Sequence, residues 1–365
     1  MNGLARFAHA FPPPEYLAMS GAGVDIGESS VKAVTFKTHT GACLLHSFTH
    51  TELAEGVVVG GDIEKPDTLV DVLRSFRLRE RIHFAHASLP ERKAYLYQTL
   101  IPNVKEKDLR AAVEFSLENN VPIAPEEVLF DYEVARTTAS GRVVSVTAFA
   151  KRVVSKYQEV FSRAGITLRS LEIESQALGR ALWSAEDKKH TTMAIDFGRK
   201  TTRIAIFDHG TVAFTATLDV GGDALTSAVM KRFSVSAEEA EKIKNEKGFL
   251  EGAKNRDLYE ALATTASVLK DEISRHIAYW NTPSGAEDDV LKQPIEYIAL
   301  VGGNANIRGL PEHLSRAFNL PVLVGNVWEN AVNMDEYIPH MAKNHSLEYA
   351  TTVGLAVRSC NCRIW

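Results

Sequence analysis

Cysteine is scarce in this chain, three residues in 365. That is too few for a disulfide framework, and a zinc site normally brings two ligand pairs of its own. Cys360 and Cys362 sit close together, but a metal there would need two further ligands from elsewhere. The expectation is a reduced, cytosolic chain with a frayed tail. No apolar run reaches the roughly 18 residues that cross a bilayer. The N-terminus has no basic-then-apolar leader, and Phe11-Pro12-Pro13-Pro14 reads as a short stiff arm. A formal net charge of −5 removes any bulk attraction to nucleic acid or anionic lipid. No segment is of low complexity. What remains is an ordinary soluble composition, long enough for two or three buried cores.

A repeat stands out against this background. Val24-Asp25-Ile26-Gly27-Glu28-Ser29-Ser30-Val31-Lys32 runs on to Phe36. Ile195-Asp196-Phe197-Gly198-Arg199-Lys200-Thr201-Thr202-Arg203 runs on to Phe207. Gly27 matches Gly198, Ser30 matches Thr201, and Lys32 matches Arg203. One copy alone is an ordinary capped β-turn. Two copies, each joining two strand-like runs, suggest a duplicated hairpin holding one polyphosphate from both sides. Gly27 and Gly198 allow a tight turn that presents N–H groups to an anion. Ser29, Ser30, Thr201 and Thr202 offer hydroxyls to phosphate or to metal-bound water. Lys32 supplies a charge if it faces the turn. Asp25 and Asp196 suit Mg²⁺ held through water.

Other segments fit around this pair. Pro66–Phe76 has a helical apolar face. The stretch 84–168 reads as a separate β-α-β-β-α module, with strands at Ala94–Ile101, Val128–Ala135 and Val143–Phe149. Its first helix would be capped by Asn103, with Glu106 three residues on. Its second, Val153–Ala164, ends at Gly165. Gly302-Gly303-Asn304 follows the apolar run Ile298–Val301, and a side-chain-free pair there lets a flat base approach the backbone. Ser236 and Glu239 form a capping box for the helix to Gly248. On that helix Glu241 and Lys244 share a face, either as ribose and nucleoside contacts or as an exposed ion pair. Glu174 is the candidate for positioning an attacking water. Glu172 is its rival, because strand alternation would point both the same way.

Taken together, these pieces resemble the actin-like ATPase superfamily over almost the whole chain. The resemblance is closest to the type IV pilus assembly protein PilM family, with the cell-division FtsA family next. Phosphate-1 resembles Asp25–Lys32, connect-1 Glu174–Leu182, phosphate-2 Asp196–Thr202 and the adenosine motif Val301–Leu310. Ala240-Glu241-Lys242-Ile243-Lys244 is similar to the A-E-x-x-K helix, Val220-Gly221-Gly222-Asp223-Ala224-Leu225-Thr226 to the G-G-x-x-[LF]-T segment, and Glu348–Arg358 to the closing helix. The implied fold is α/β: a duplicated, two-lobed actin-like (ribonuclease H-like) fold with an inserted 1C-like subdomain. Lobe 1 would take 20–83, 169–190 and 340–360, the insertion 84–168 and lobe 2 residues 191–339, after an arm at 1–19.

The resemblance implies ATP and Mg²⁺ as cofactors. It places Asp25, Gly27, Ser29, Ser30, Lys32, Asp196, Gly198, Lys200, Thr201, Thr202, Gly221, Gly222, Glu241, Lys244, Gly302, Gly303 and Asn304 at the nucleotide. Glu174, Asp196 and Asp25 would serve any slow hydrolysis. It also implies a cytoplasmic scaffold of the type IV pilus, or of related type II secretion, held at the inner membrane by the N-terminal peptide of a PilN-like protein between 1A and 1C. Pilus motor ATPases and self-association are further implied contacts. An FtsA-like filament former is a second reading, but that family ends in an amphipathic membrane helix for which residues 358–365 are too short. A small-molecule kinase is a third, yet no separate sugar-site motif is present.

Overall fold

A computed structural model describes residues 20–39, 42–282 and 292–360. The proposed arm at 1–19 and Cys362 lie outside the described residues. Both copies of the repeat fold into the same hairpin. β1 (Ala22–Ile26) turns into β2 (Ser30–His39), with Asp25 opposite Lys32. Strands Thr191–Phe197 and Thr202–Asp208 repeat this, with Asp196 opposite Arg203. The Gly27 N–H donates to Ser30 O at 2.9 Å, and the Gly198 N–H to Thr201 O at 3.0 Å. Equivalent sequence has produced an equivalent turn.

The duplication extends to whole sheets. β3 (Ala42–Glu52) pairs with β2, β4 (Phe84–Leu89) lies parallel to β1, and a strand at Thr167–Ile173 lies parallel to β4. Between β4 and that strand the chain leaves the sheet. It forms β5 (Ala94–Pro102), α2 (Glu106–Asn120), β6 (Val128–Thr137) and β7 (Gly141–Ala150), then α3 (Lys151–Ala164). The preceding helix, α1, is Pro66–Glu80. The strand at Thr167–Ile173 is β8, so the first sheet runs β3-β2-β1-β4-β8. In the second half β9 (Thr191–Phe197), β10 (Thr202–Asp208), β11 (Thr211–Leu218), β12 (Tyr297–Val301) and β13 (Val322–Val324) run β11-β10-β9-β12-β13. The order is the same in both: three antiparallel strands, then two parallel ones.

The inserted sheet, β5-β7-β6, has its own core. Ile101, Val144 and Val146 meet Leu109, Val113 and Leu117 of α2, which lie three or four apart and so form one helix face. Burying each such side chain contributes about 1.5–3 kcal/mol. The independent unit is narrower than 84–168. Phe84–Leu89 pairs within the first large sheet. α3 lies against lobe 1, with Tyr157 Oη donating to Gly61 O at 3.3 Å and Arg163 ion-paired to Asp67. Asn103 is not the cap of α2, which begins at Glu106 after Lys105; its amide donates instead to Ala139 O at 3.3 Å.

The insertion does not project freely. Arg136 of β6 pairs with the fully buried Asp208 of β10, and Ser145 of β7 donates to Val212 O of β11. Covalently it belongs to lobe 1, yet it docks on the edge of lobe 2. The tail also departs from expectation. Cys360 is disulfide-bonded to buried Cys43 of β3, so the described end of the chain is stapled to lobe 1.

Candidate functional site

The two hairpin turns bring Asp25 and Asp196 to the cleft between the lobes. Both are almost fully buried, as are Glu174 and Glu91. Asp25 accepts a hydrogen bond from Ser88 Oγ at 2.6 Å. Asp196 accepts one from Arg203 Nη2 at 2.6 Å, and Nη1 of the same guanidinium pairs with Glu174. Glu91 accepts the Ser175 N–H at 2.7 Å. All four carboxylates act on the charge of Arg203. Burial opposes that charge, but Glu174, Asp196, Asp25 and Glu91 outweigh it and keep the guanidinium protonated.

One cation cannot balance four acids. Burial pushes Glu174 up to about 8; Arg203 opposes the rise, while Asp25 and Glu91 add to it. Burial raises Glu91 as well. Neither Arg203 nor Glu91 stood out as a site residue in the sequence. The signal for Arg203 was present in the repeat, where it matches Lys32. Glu91 had no such signal.

Glu172 and Glu174 part company. Strand β8 ends at Ile173 and Glu174 opens α4 (Glu174–Leu182), so strand alternation does not reach it. Glu172 pairs with Arg180 of α4 through both oxygens, at 2.8 and 2.6 Å, and with Arg358 at 2.8 Å. It ties the closing segment to lobe 1, while Glu174 faces the cleft.

Lys32 turns away from its hairpin. Its ammonium donates to Glu348 O at 2.7 Å and lies over the Tyr349 ring. The Thr202 hydroxyl is spent on Val220 O at 2.6 Å. Ser29 and Ser30 accept through their carbonyls, from Leu53 N at 2.8 Å and from Gly27 N. Arg199 and Lys200, on the second turn, reach Glu52 at 3.4 Å and Glu55 at 3.8 Å on lobe 1. These exposed pairs cross the cleft mouth and each contributes about 1 kcal/mol or less.

The opposite wall is built from three segments: α5 (Gly222–Phe233), α6 (Ala237–Lys247) and the turn Gly303–Asn306 after β12. Ser236 caps α6 by accepting the Glu239 N–H at 3.2 Å. Lys244 is fully buried and donates to Thr226 Oγ1 at 3.0 Å, Glu241 at 2.7 Å and Asn304 Oδ1 at 2.9 Å. That uses all three of its protons. Burial lowers its pKa, only partly offset by Glu241. Glu241, half-exposed, keeps a lowered pKa because bonds from Lys244 and Thr226 outweigh its burial. The Asn304 amide donates to Gly198 O at 2.8 Å and Phe197 O at 3.2 Å, which joins this wall to the second turn. Gly222 is forced by that junction, since a Cβ there would lie 2.1 Å from Asn304 Oδ1. Gly302 has φ +87°, and a Cβ on it would lie 2.5 Å from Asp196 Oδ1. A Cβ on Gly303 would meet nothing within 4 Å, so the backbone here faces open space.

Among the described residues no three His, Cys, Asp or Glu side chains are placed to bind a metal directly. No helix there is long and apolar enough to cross a membrane.

Comparison with known proteins adds three findings. The profile of the family described as type IV pilus assembly protein PilM matches residues 23–360. Cell division protein FtsA from Neisseria meningitidis serogroup B is 24% identical over 60% of this chain and 54% of its own length. FtsA from Pseudomonas aeruginosa is 25% identical over 50% of this chain and 47% of its own. The chain thus spans about half the length of these curated relatives. In structure, a chain of a PilM-PilN type IV pilus biogenesis complex matches with a TM-score of 0.73 at 21% identity, covering 93% of this chain and 98% of that one. MreB 5 of Spiroplasma citri bound to AMPPNP matches at 0.51 and 14% identity, over 91% and 93%. At such identities the likeness establishes the actin-like fold.

Proposed function

Because the chain belongs to the family of type IV pilus assembly protein PilM, we propose that it is an ATP-binding scaffold of the type IV pilus inner-membrane platform, or of a related type II secretion platform. In this reading it is cytoplasmic and holds the N-terminal tail of a PilN-like membrane protein. The observation that carries the nucleotide part is the pair of turns with the same backbone pairing, with Asp25 and Asp196 buried between the lobes. A polyphosphate cannot enter four carboxylates and one guanidinium unaided. The donor set therefore fits a hydrated divalent cation, held through water by Asp25 and Asp196. Bound Mg²⁺ would screen the phosphate charge. Gly27 and Gly198, whose own N–H groups close the turns on Ser30 O and Thr201 O, would let the backbone come close to the phosphates. Ser29, Ser30, Lys200 and Thr201 would offer their polar side chains, and Gly302-Gly303 a bare surface for the base. Lys32 and Thr202 would join them only after releasing Glu348 and Val220.

Glu174 is the residue best suited to orient a water. Burial raises its pKa, so it holds a proton more readily than an exposed carboxylate and would take one from a water only after a cation in the cleft has favoured its ionised form. Its bond to Arg203 restrains it, which favours slow turnover and a nucleotide that acts mainly by holding the lobes together.

The partner site is the face where β6 meets the Glu172–Arg180–Arg358 network. β6 and β8 are both sheet edges there, and the charges acting on Glu133 of β6 come from Arg180, Glu172, Asp131 and Arg358. Exposed Leu129 and Val134 lie on the same strand. An unpaired edge with alternating apolar and acidic residues suits an extended peptide. The test is a titration of a fluorescent peptide bearing the N-terminal tail of a PilN-like membrane protein. Binding should weaken about tenfold or more in Glu133→Arg. Unaltered affinity would remove β6 from the partner site.

A further inference from the structure

The segment that leads into the inserted module is the short turn Glu91–Lys93. Its three side chains go three ways: Glu91 to the cleft side of lobe 1, Arg92 to lobe 2 and Lys93 to a second site on lobe 1. Glu91 points inward, accepts the Ser175 N–H beside Glu174 and faces Arg203 of the cleft. Arg92 pairs with Asp219 of lobe 2, two residues before the Gly221-Gly222 turn. Gly222 N in turn donates to Gly198 O of the second phosphate turn at 3.0 Å. Lys93 pairs with Asp62 of lobe 1. At Ala94 the chain becomes β5, an edge strand of the module's sheet that packs against β11 of lobe 2.

We propose that the Glu91–Lys93 turn couples the nucleotide cleft to the inserted module, with Glu91 as its positioning residue in the cleft and Arg92–Asp219 as its contact with lobe 2. The proposal rests on the reading of the cleft as a nucleotide site. A phosphate ligand draws on Arg203, which bonds Glu174 and Asp196 and lines the same small cavity as Glu91. Any change in that charge alters the field on Glu91, and Glu91 is fixed to the backbone that carries the module. Any rotation of lobe 2 moves Asp219, and with it Arg92. Both effects reach β5 through fewer than four residues. Coupling of this kind needs a ligand that favours one arrangement over the other, and a cleft ligand touching both lobes meets that condition.

The test uses the full chain and measures hydrogen exchange at 94–102 and 128–137 with and without saturating Mg-ATP, alongside calorimetry. In the wild type, exchange in these strands should change by about fivefold or more. Arg92→Asp and Asp219→Arg should each bind Mg-ATP normally yet lose that response. The doubly reversed variant should regain it, which a merely structural role would not produce. Glu91→Gln keeps an acceptor for Ser175 and should also lose the response while melting close to the wild type. Wild-type binding without a response, or a response that survives both single reversals, overturns the coupling alone. No wild-type binding of Mg-ATP overturns the nucleotide reading, and the coupling with it.

Discussion

The first and second hairpins share one backbone and differ in what their last basic residue does. Lys32 and Arg203 occupy the same register position, opposite Asp25 and Asp196. Lys32 leaves the cleft for a carbonyl and a ring, whereas Arg203 enters it and holds two carboxylates. Backbone geometry therefore fixes where a phosphate turn lies, and the side chain decides whether the turn is open or internally neutralised. Arg suits the inward role because its planar fork reaches two acids at once and keeps its charge when buried. Lys suits the outward one, as a single flexible donor. The cleft is consequently asymmetric: the first turn offers an aspartate bonded to the Ser88 hydroxyl, while the second offers one already ion-paired to Arg203.

Removing each basic residue should break this comparison most visibly. Arg203→Met leaves four buried acids without a cation and should cost about 3–5 kcal/mol in urea unfolding. A second asymmetry is the staple, since Cys43 and Cys360 tie lobe 1 while residues 191–339 contain no cysteine at all. Cys43→Ser should lower stability by about 2–4 kcal/mol under oxidising conditions and by less once reductant is present, when only the buried hydroxyl distinguishes it from the wild type.

The pH dependence sharpens the account of the acidic cluster. Glu174 holds its proton up to about 8 in the folded chain, against a far lower value when unfolded. Such a group stabilises the fold at low pH and loses that contribution as pH rises through its folded value. Wild type should therefore lose stability relative to Glu174→Gln between about pH 5 and about pH 8. Unfolding midpoints that run parallel would show that Arg203 keeps Glu174 ionised throughout. The smallest effect belongs to Lys32→Met, about 1 kcal/mol, because its one strong bond is partly exposed.

Much of this was legible in the sequence because it is local. Spacing and turn residues gave both hairpins, α1, α3 and the Ser236 cap, and the match between Asp25–Phe36 and Asp196–Phe207 pointed to a two-lobed duplication. What was not legible depends on distant partners. Nothing near Cys43 points to Cys360. Glu91 lies in an unremarked turn, and its neighbours in space come from Ser175 and Arg203. Residues 84–89 fall in the stretch read as the separate module, not in the first sheet, because a parallel neighbour across a long crossover leaves no local trace. From its own helix alone Lys244 reads better as half of an exposed ion pair; Asn304 and Thr226, far away in sequence, close over it.

The central claim is that the two aspartates face one Mg-polyphosphate from opposite sides. Calorimetric titration of Mg-ATP into the wild type, Asp25→Ala and Asp196→Ala tests it most directly, with unfolding curves to establish that each variant folds. Each substitution alone should weaken binding by about a hundredfold or more, since each removes one of two carboxylates that hold the hydrated ion. Wild-type affinity in either folded variant would contradict the account.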